Sequence, residues 1–169
     1  MRCKRRAVLL ALTCALLLAG GCKLGGPKYP EAWRDDEVEV GSERLLWEVT
    51  AFALNKEDFP VGSGMDPSSL VATSGWKNSL APFRGKGWRE RAQVRYEKVA
   101  PKRYRISVRV EHELNMDIAR PTDLRYAQWE ESPDNEVAAS ILLQRIKSWL
   151  GAGAVPQGSG DADEPGGGR

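Results

Sequence analysis

Along residues 88–98 the even positions are Trp88, Glu90, Ala92, Val94, Tyr96 and Lys98, and the odd positions from 89 to 97 are Arg, Arg, Gln, Arg and Glu. Residues 104–114 repeat the period: Tyr104, Ile106, Val108, Val110, His112 and Leu114 alternate with Arg105, Ser107, Arg109, Glu111 and Glu113, after a leading Arg103. Period two sustained through both segments predicts two long strands, each burying one face. The short link around Pro101 joins them as an antiparallel hairpin. Charge argues the register. If opposed positions sum to 202, Glu97 meets Arg105, Arg91 meets Glu111 and Arg89 meets Glu113, and each such pair contributes roughly 0.2–1 kcal/mol. A sum of 204 would oppose Arg95 to Arg109 but would let Pro101 lead the turn, its favoured place. The charge pairs favour 202.

Helical spacing brackets the hairpin. Leu45, Leu46, Val49, Phe52 and Ala53 follow Ser42, a natural N-cap, with Trp47 at the edge of the buried face. Phe59-Pro60 ends that helix near residues 55–57. Near the C-terminus, Ser132-Pro133 opens a second helix with Asp134 and Glu136 in its first turn. Its apolar stripe is Val137, Ala138, Ile141, Leu142, Ile146, Trp149 and Leu150, and Gly151 stops it. Ser69 to Asn78 reads as a strand entered through Asp66-Pro67-Ser68, with Gly75 a bulge or close contact, and 79–87 as a loop. Residues 115–131 form a long connection that holds another short strand at most, with Ile118, Leu124 and Trp129 packing on the domain. The expected fold class is α+β: a two-layer domain over 42–150, an antiparallel sheet of three or more strands with two helices on one face.

The ends read differently. Arg2, Lys4, Arg5 and Arg6 precede the uncharged run Ala7 to Ala19, which is the pattern of a signal peptide over 1–21 and too short to span a bilayer. Leu18-Ala19-Gly20-Gly21-Cys22 resembles the lipobox of bacterial lipoproteins, with Ala19 where that pattern usually has Leu. The resemblance implies lipidation of Cys22: acyl chains such as palmitate on its sulfur and, after cleavage, on its amine, which together form a stable anchor. With Lys23 rather than Asp next, it further implies the periplasmic side of the outer membrane. Residues 22–41 are expected to be the lipidated N-terminus and a flexible tether with a hint of strand at Val38-Glu39-Val40. Residues 151–169, seven Gly and two Pro among nineteen, are expected to be a disordered tail.

Cleavage changes the charge. The whole chain has 25 Lys plus Arg against 23 Asp plus Glu, but the leader takes four cations and no acids, leaving the mature chain acidic by two. Generic attraction to nucleic acid loses its warrant, and no nucleic-acid partner is expected. Cys3 and Cys14 leave with the leader, so no disulfide pair remains.

Chemistry is sparse. His112 is the single histidine; in the 202 register it faces Glu90, and a satisfied strand-end histidine is a better reading than an acid–base pair. Ser63 lacks a nucleophile-elbow context, and Arg84-Gly85-Lys86-Gly87 leads into a strand, not a phosphate-binding helix. Neither a catalytic set, a cofactor motif nor metal-ligand spacing is present, so the expectation is no enzyme and no metal. The candidate binding surface is the arginine face, Arg89, Arg91, Arg95, Arg103, Arg105 and Arg109, with Trp76 and Trp88 at strand ends. These arginines either grip phosphate or carboxylate groups of envelope glycolipid or glycan bidentately, or pair with acids across strands as a solvated face. Trp33 could serve an interface, as could Trp76 or Trp88.

The segment Leu70-Val71-Ala72-Thr73-Ser74-Gly75-Trp76, followed by Arg89-Glu90-Arg91 and the arginine-laced hairpin, resembles lipoproteins related to BamC, whose helix-grip domains wrap a sheet around a helix. Those proteins carry two such domains and this chain has room for one. The resemblance implies a non-enzymatic accessory module binding other envelope proteins in outer-membrane biogenesis. The alternative is a lipoprotein holding a lipid or glycan in the groove between sheet and helices. A filled core with exposed Trp and Leu on an edge favours the first reading, and an apolar cavity lined by inner-face residues favours the second.

Overall fold

The computed structural model describes residues 28–62, 64–80 and 86–151. Expectations for the leader 1–21, Cys22, Ser63, Arg84-Gly85 and the tail from 152 fall outside them. Seven antiparallel strands form one sheet: β1 (Arg34–Glu39), β2 (Met65–Asp66), β3 (Val71–Thr73), β4 (Lys77–Ser79), β5 (Trp88–Ala100), β6 (Arg103–Asn115) and β7 (Trp129–Ser132). The order is β1-β6-β5-β3-β2, with β4 also on β5 and β7 also on β6. Two helices, α1 (Glu43–Lys56) and α2 (Glu136–Gly151), pack on each other, and α2 lies on β1 and β6. The fold is therefore α+β, as expected.

The hairpin adopts the 202 register from Trp88↔Leu114 to Lys98↔Tyr104, then shifts so that Ala100 faces Arg103. The slip reconciles two preferences that conflict in the sequence. The charge pairs keep their register, and the bulge at Val99 lets Pro101 lead a two-residue turn completed by Lys102 at φ 62°.

Even positions of the hairpin face the helices. Ala92, Val94, Tyr96, Tyr104, Ile106, Val108 and Val110 meet Leu46, Val49, Ala53 and Leu54 of α1 and Ala139, Leu142 and Ile146 of α2 in one filled core. A buried polar contact between the layers joins the Tyr96 hydroxyl to the Thr50 hydroxyl. Burial pushes the Tyr96 phenol well above its usual range, so the hydroxyl stays a neutral donor.

Four expectations are corrected. First, 22–41 is not a tether throughout. Residues 34–39 are the edge strand β1, antiparallel to β6 from Arg34↔Val108 to Glu39↔Arg103, and residues 28–33 run back against the sheet. Side chains too charged to signal a strand suit an exposed edge, where charge discourages further pairing. Second, the strand expected over 69–78 divides into β3 and β4. The Ser74 amide donates to the Ala92 carbonyl, while the Gly75 amide turns away to the Pro60 carbonyl at 2.7 Å. A Cβ on Gly75 would sit 3.1 Å from Pro60, so glycine suits this approach.

Third, α2 starts at Glu136, capped by Asn135, whose side chain accepts from the Ala138 amide at 3.0 Å. Pro133 and Asp134 stay extended, and the buried stripe becomes Ala139, Leu142, Leu143, Ile146 and Leu150. Val137 (70% exposed) and Ile141 (48%) face out; Trp149 is half-buried and stacks on Phe52 at 3.9 Å, and Gly151 is the last helical residue. Fourth, Ile118 (87% exposed) and Leu124 (51%) do not pack on the domain.

This division between core and surface sets a stability contrast. Ile106→Ala empties a fully buried site and should cost about 2–5 kcal/mol in urea unfolding, whereas Ile118→Ala should stay within about 0.5 kcal/mol.

Candidate functional site: the arginine–tryptophan face

Odd positions of β5 and β6 point away from the helices, which brings the six arginines onto one face. Three are held by the acids that the register opposes to them: Arg89–Glu113 at 2.6 Å, Arg91–Glu111 at 2.6 Å and Arg105–Glu97 at 2.9 Å. Strand β1 adds Glu37, within 3.3 Å of Arg105 and 3.6 Å of Arg103. Arg109 is the most enclosed, its side chain 13% exposed. It holds Asp134 at 2.7 Å, Glu31 at 2.9 Å and Glu111 at 3.5 Å. Burial works against its charge, but these carboxylates, Asp134 foremost, outweigh it and raise its pKa further. Glu111 also accepts from the Gln93 amide at 2.5 Å, so one carboxylate ties three side chains together.

Tryptophans cover the guanidinium planes. Trp76 lies 4.2 Å from Arg89 and 4.6 Å from Arg91, measured to the ring centre, and Trp129 reaches Arg89 from the other side at 4.7 Å. Trp33 stacks on Arg95 at 3.9 Å. Arg95 has no carboxylate partner among the described residues, and the ring takes that place. Of the eight candidate residues, the six arginines and Trp76 therefore share one face. Trp88 does not: it sits at an even position beside the His112 ring, 6.1 Å away.

The surface is closed by a strap the sequence did not disclose. The Lys28 amide donates to Glu131 at 3.0 Å and its ammonium pairs with Glu130 at 2.5 Å. The Ala32 amide donates to Asp134 at 2.8 Å, and Arg34 pairs with Glu136. Between strap and sheet lies a polar cleft of about 230 Å³, lined among others by Tyr29, Glu31, Arg91, Arg109, His112 and Ser132. The signal for the strap was complementarity: Glu31 and Glu37 answer arginines on β6, Asp36 answers Lys147 on α2, and Trp33 answers Arg95, the arginine of this face without an acid among the described residues.

The cleft's side chains are bound to one another. Ser132 donates its hydroxyl to the His112 carbonyl at 3.0 Å, and its oxygen also contacts Nδ1 of the same residue. Glu90, cross-strand neighbour of His112, accepts a 2.7 Å bond from the Asn135 side chain. Among the described residues no group of three or more His, Cys, Asp or Glu converges as a metal site. What the arrangement does chemically is hold the N-terminal segment to the sheet.

Two consequences follow for solution behaviour. Removing the central cation with Arg109→Gln strands Asp134, Glu31 and Glu111 together and should cost about 3 kcal/mol, against less than about 1 kcal/mol for Arg105→Gln at a more open site, both read from urea unfolding. The strap is also acid-sensitive. The Trp33 indole N–H, then Arg109, hold the Glu31 carboxyl below its usual range, and Lys147 does the same for Asp36. Depressed folded values mean the docking is fully supported above the unfolded carboxylate value near ~4 and weakens as pH falls through the lower folded values. The Ala32 amide should lose hydrogen-exchange protection as pH falls below about 4, ahead of the β5–β6 amides; simultaneous loss would contradict the assignment.

No protein-family model and no curated protein sequence matches the chain. Among solved structures it is similar to a TBP-like protein from Parabacteroides distasonis, at 11% identity and a TM-score of 0.36, covering 76% of this chain and 89% of that one.

Proposed function

We propose that the chain is a lipid-anchored, non-enzymatic interaction module of the bacterial cell envelope, tied through acylated Cys22 to the periplasmic side of the outer membrane and working with other envelope proteins. The observation that carries the reading is Leu18-Ala19-Gly20-Gly21-Cys22 directly after a basic start and an uncharged run. That is a processing site whose cysteine would become the first mature residue. The BamC-like segment Leu70 to Trp76 and the arginine hairpin support an accessory role rather than a catalytic one.

Two structural observations support the module over a carrier of lipid or glycan. The space between sheet and helices is filled by Leu46, Leu54, Ile106, Leu142 and Ile146, all fully buried, where a carrier needs an apolar cavity. Five of the six arginines that would grip an anionic ligand already pair with Glu37, Glu97, Glu111, Glu113 or Asp134, and Arg95 lies against Trp33. A phosphate would have to displace carboxylates in good geometry.

Replacing Cys22 by Ser should leave the leader uncleaved and remove the acyl mass, and the protein should move from the membrane to the soluble fraction or accumulate as precursor. Intact mass and detergent fractionation read both. Unchanged mass and fractionation would refute the anchor.

A further inference from the structure

The β6–β7 connection, residues 116–128, presents a cluster of apolar side chains to solvent: Met116, Ile118, Leu124 and Tyr126, with Ile118 almost wholly exposed. This is a built loop. The buried Asn115 side chain accepts from the amides of Asp117 at 3.0 Å and Gln128 at 3.1 Å and donates to the Pro121 carbonyl at 3.3 Å. Asp117 accepts from the amides of Ala119 and Arg120 at 2.9 and 2.8 Å, and Leu124–Tyr126 is a 3-10 turn capped by Asp123. An apolar display held this firmly is an exposed patch that needs a covering surface.

The position of the patch identifies that surface. The chain enters the described domain at Lys28, pinned to Glu130 and Glu131 at the start of β7. The loop begins and ends in the same place: the Met116 amide donates to the Gln128 carbonyl, and Met116 lines one cleft with Tyr29, Glu130 and Glu131. Between Cys22 and Lys28 lie only six residue steps, which reach at most about 20 Å when fully extended. Acyl chains on Cys22 therefore hold the bilayer within that distance of the loop's base.

We propose that loop 116–128 is a second membrane contact, inserting Ile118, Leu124 and their apolar neighbours into the lipid interface beside the acyl anchor and fixing the orientation of the domain. The proposal rests on the lipidated reading of Cys22. The loop's charges balance, Asp117 and Asp123 against Arg120 and Arg125, with Asp123 and Arg125 paired at 2.7 Å. The contact is therefore apolar, and anionic lipid is not required.

The test uses the processed, acylated protein in vesicles of phosphatidylcholine and phosphatidylethanolamine, with a polarity-sensitive fluorophore on Ile118→Cys or, as the control at the opposite end of the sheet, on Glu39→Cys. The expected result is blue-shifted emission and quenching by lipid-borne bromine at position 118, neither at position 39, and loss of Tyr126 solvent accessibility that Leu124→Asp restores. Leu124 is exposed, so that variant keeps its fold, as its unchanged urea midpoint would show. A membrane-bound protein whose label at 118 stays in water would overturn the loop contact and leave the anchor standing. A label shielded from aqueous iodide yet untouched by the brominated lipid would overturn it in favour of a protein surface. If Cys22→Ser leaves both intact mass and fractionation unchanged, anchor and loop contact fall together.

Discussion

The pairing of β5 with β6 constrains everything else in this domain. Thirteen residues on each side alternate with period two, so the register decides at once which side chains face the helices and which arginines face which acids. A slip of one residue would carry Val94, Ile106 and Val108 into water and the guanidinium groups into the core. The observed register satisfies both faces, and the bulge at Val99 absorbs the mismatch with the turn.

The outer face shows how a cationic strand pair can be neutralised by its own chain. Half its acids lie on the same hairpin, at cross-strand positions. The rest arrive from the N-terminal strap, from β1 and from the link before α2. Exposed ion pairs are individually weak, but Arg109 gathers three carboxylates under partial cover, and the tryptophan planes shield Arg89, Arg91 and Arg95. On this face Arg95 and Arg109 lie against Trp33 and Glu31 of the N-terminal segment, and Arg89 and Arg91 lie against Trp76.

The hairpin, its register and α1 were legible because they rest on periodicity and local charge, which a sequence displays directly. Strand β1 showed only as a hint at Val38-Glu39-Val40, since five of its six side chains are charged and its stability comes from the neighbouring edge of β6. The stripe of α2 was misjudged at Val137 and Ile141 for a related reason. The face that packs on the sheet and α1 carries Ala139, Leu142, Leu143 and Ile146, and which of two overlapping apolar stripes is covered depends on those distant elements. For the candidate site, the arginines and Trp76 were identified as one surface, but their partners Glu31, Trp33 and Asp134 lie far off in sequence and carry no motif.

The place of β1 in the sheet bears on the order of assembly. Arg34 pairs with Val108, so this edge cannot close until roughly seventy further residues have been delivered, and closing so long a loop carries an entropic cost that nearby contacts must offset first. As the chain is made from its N-terminus, β1 is completed earliest and finds its partner last. Until then the β6 edge stands open and the arginines on it lack their N-terminal acids, a window in which a chaperone or a second chain can compete for the same strand.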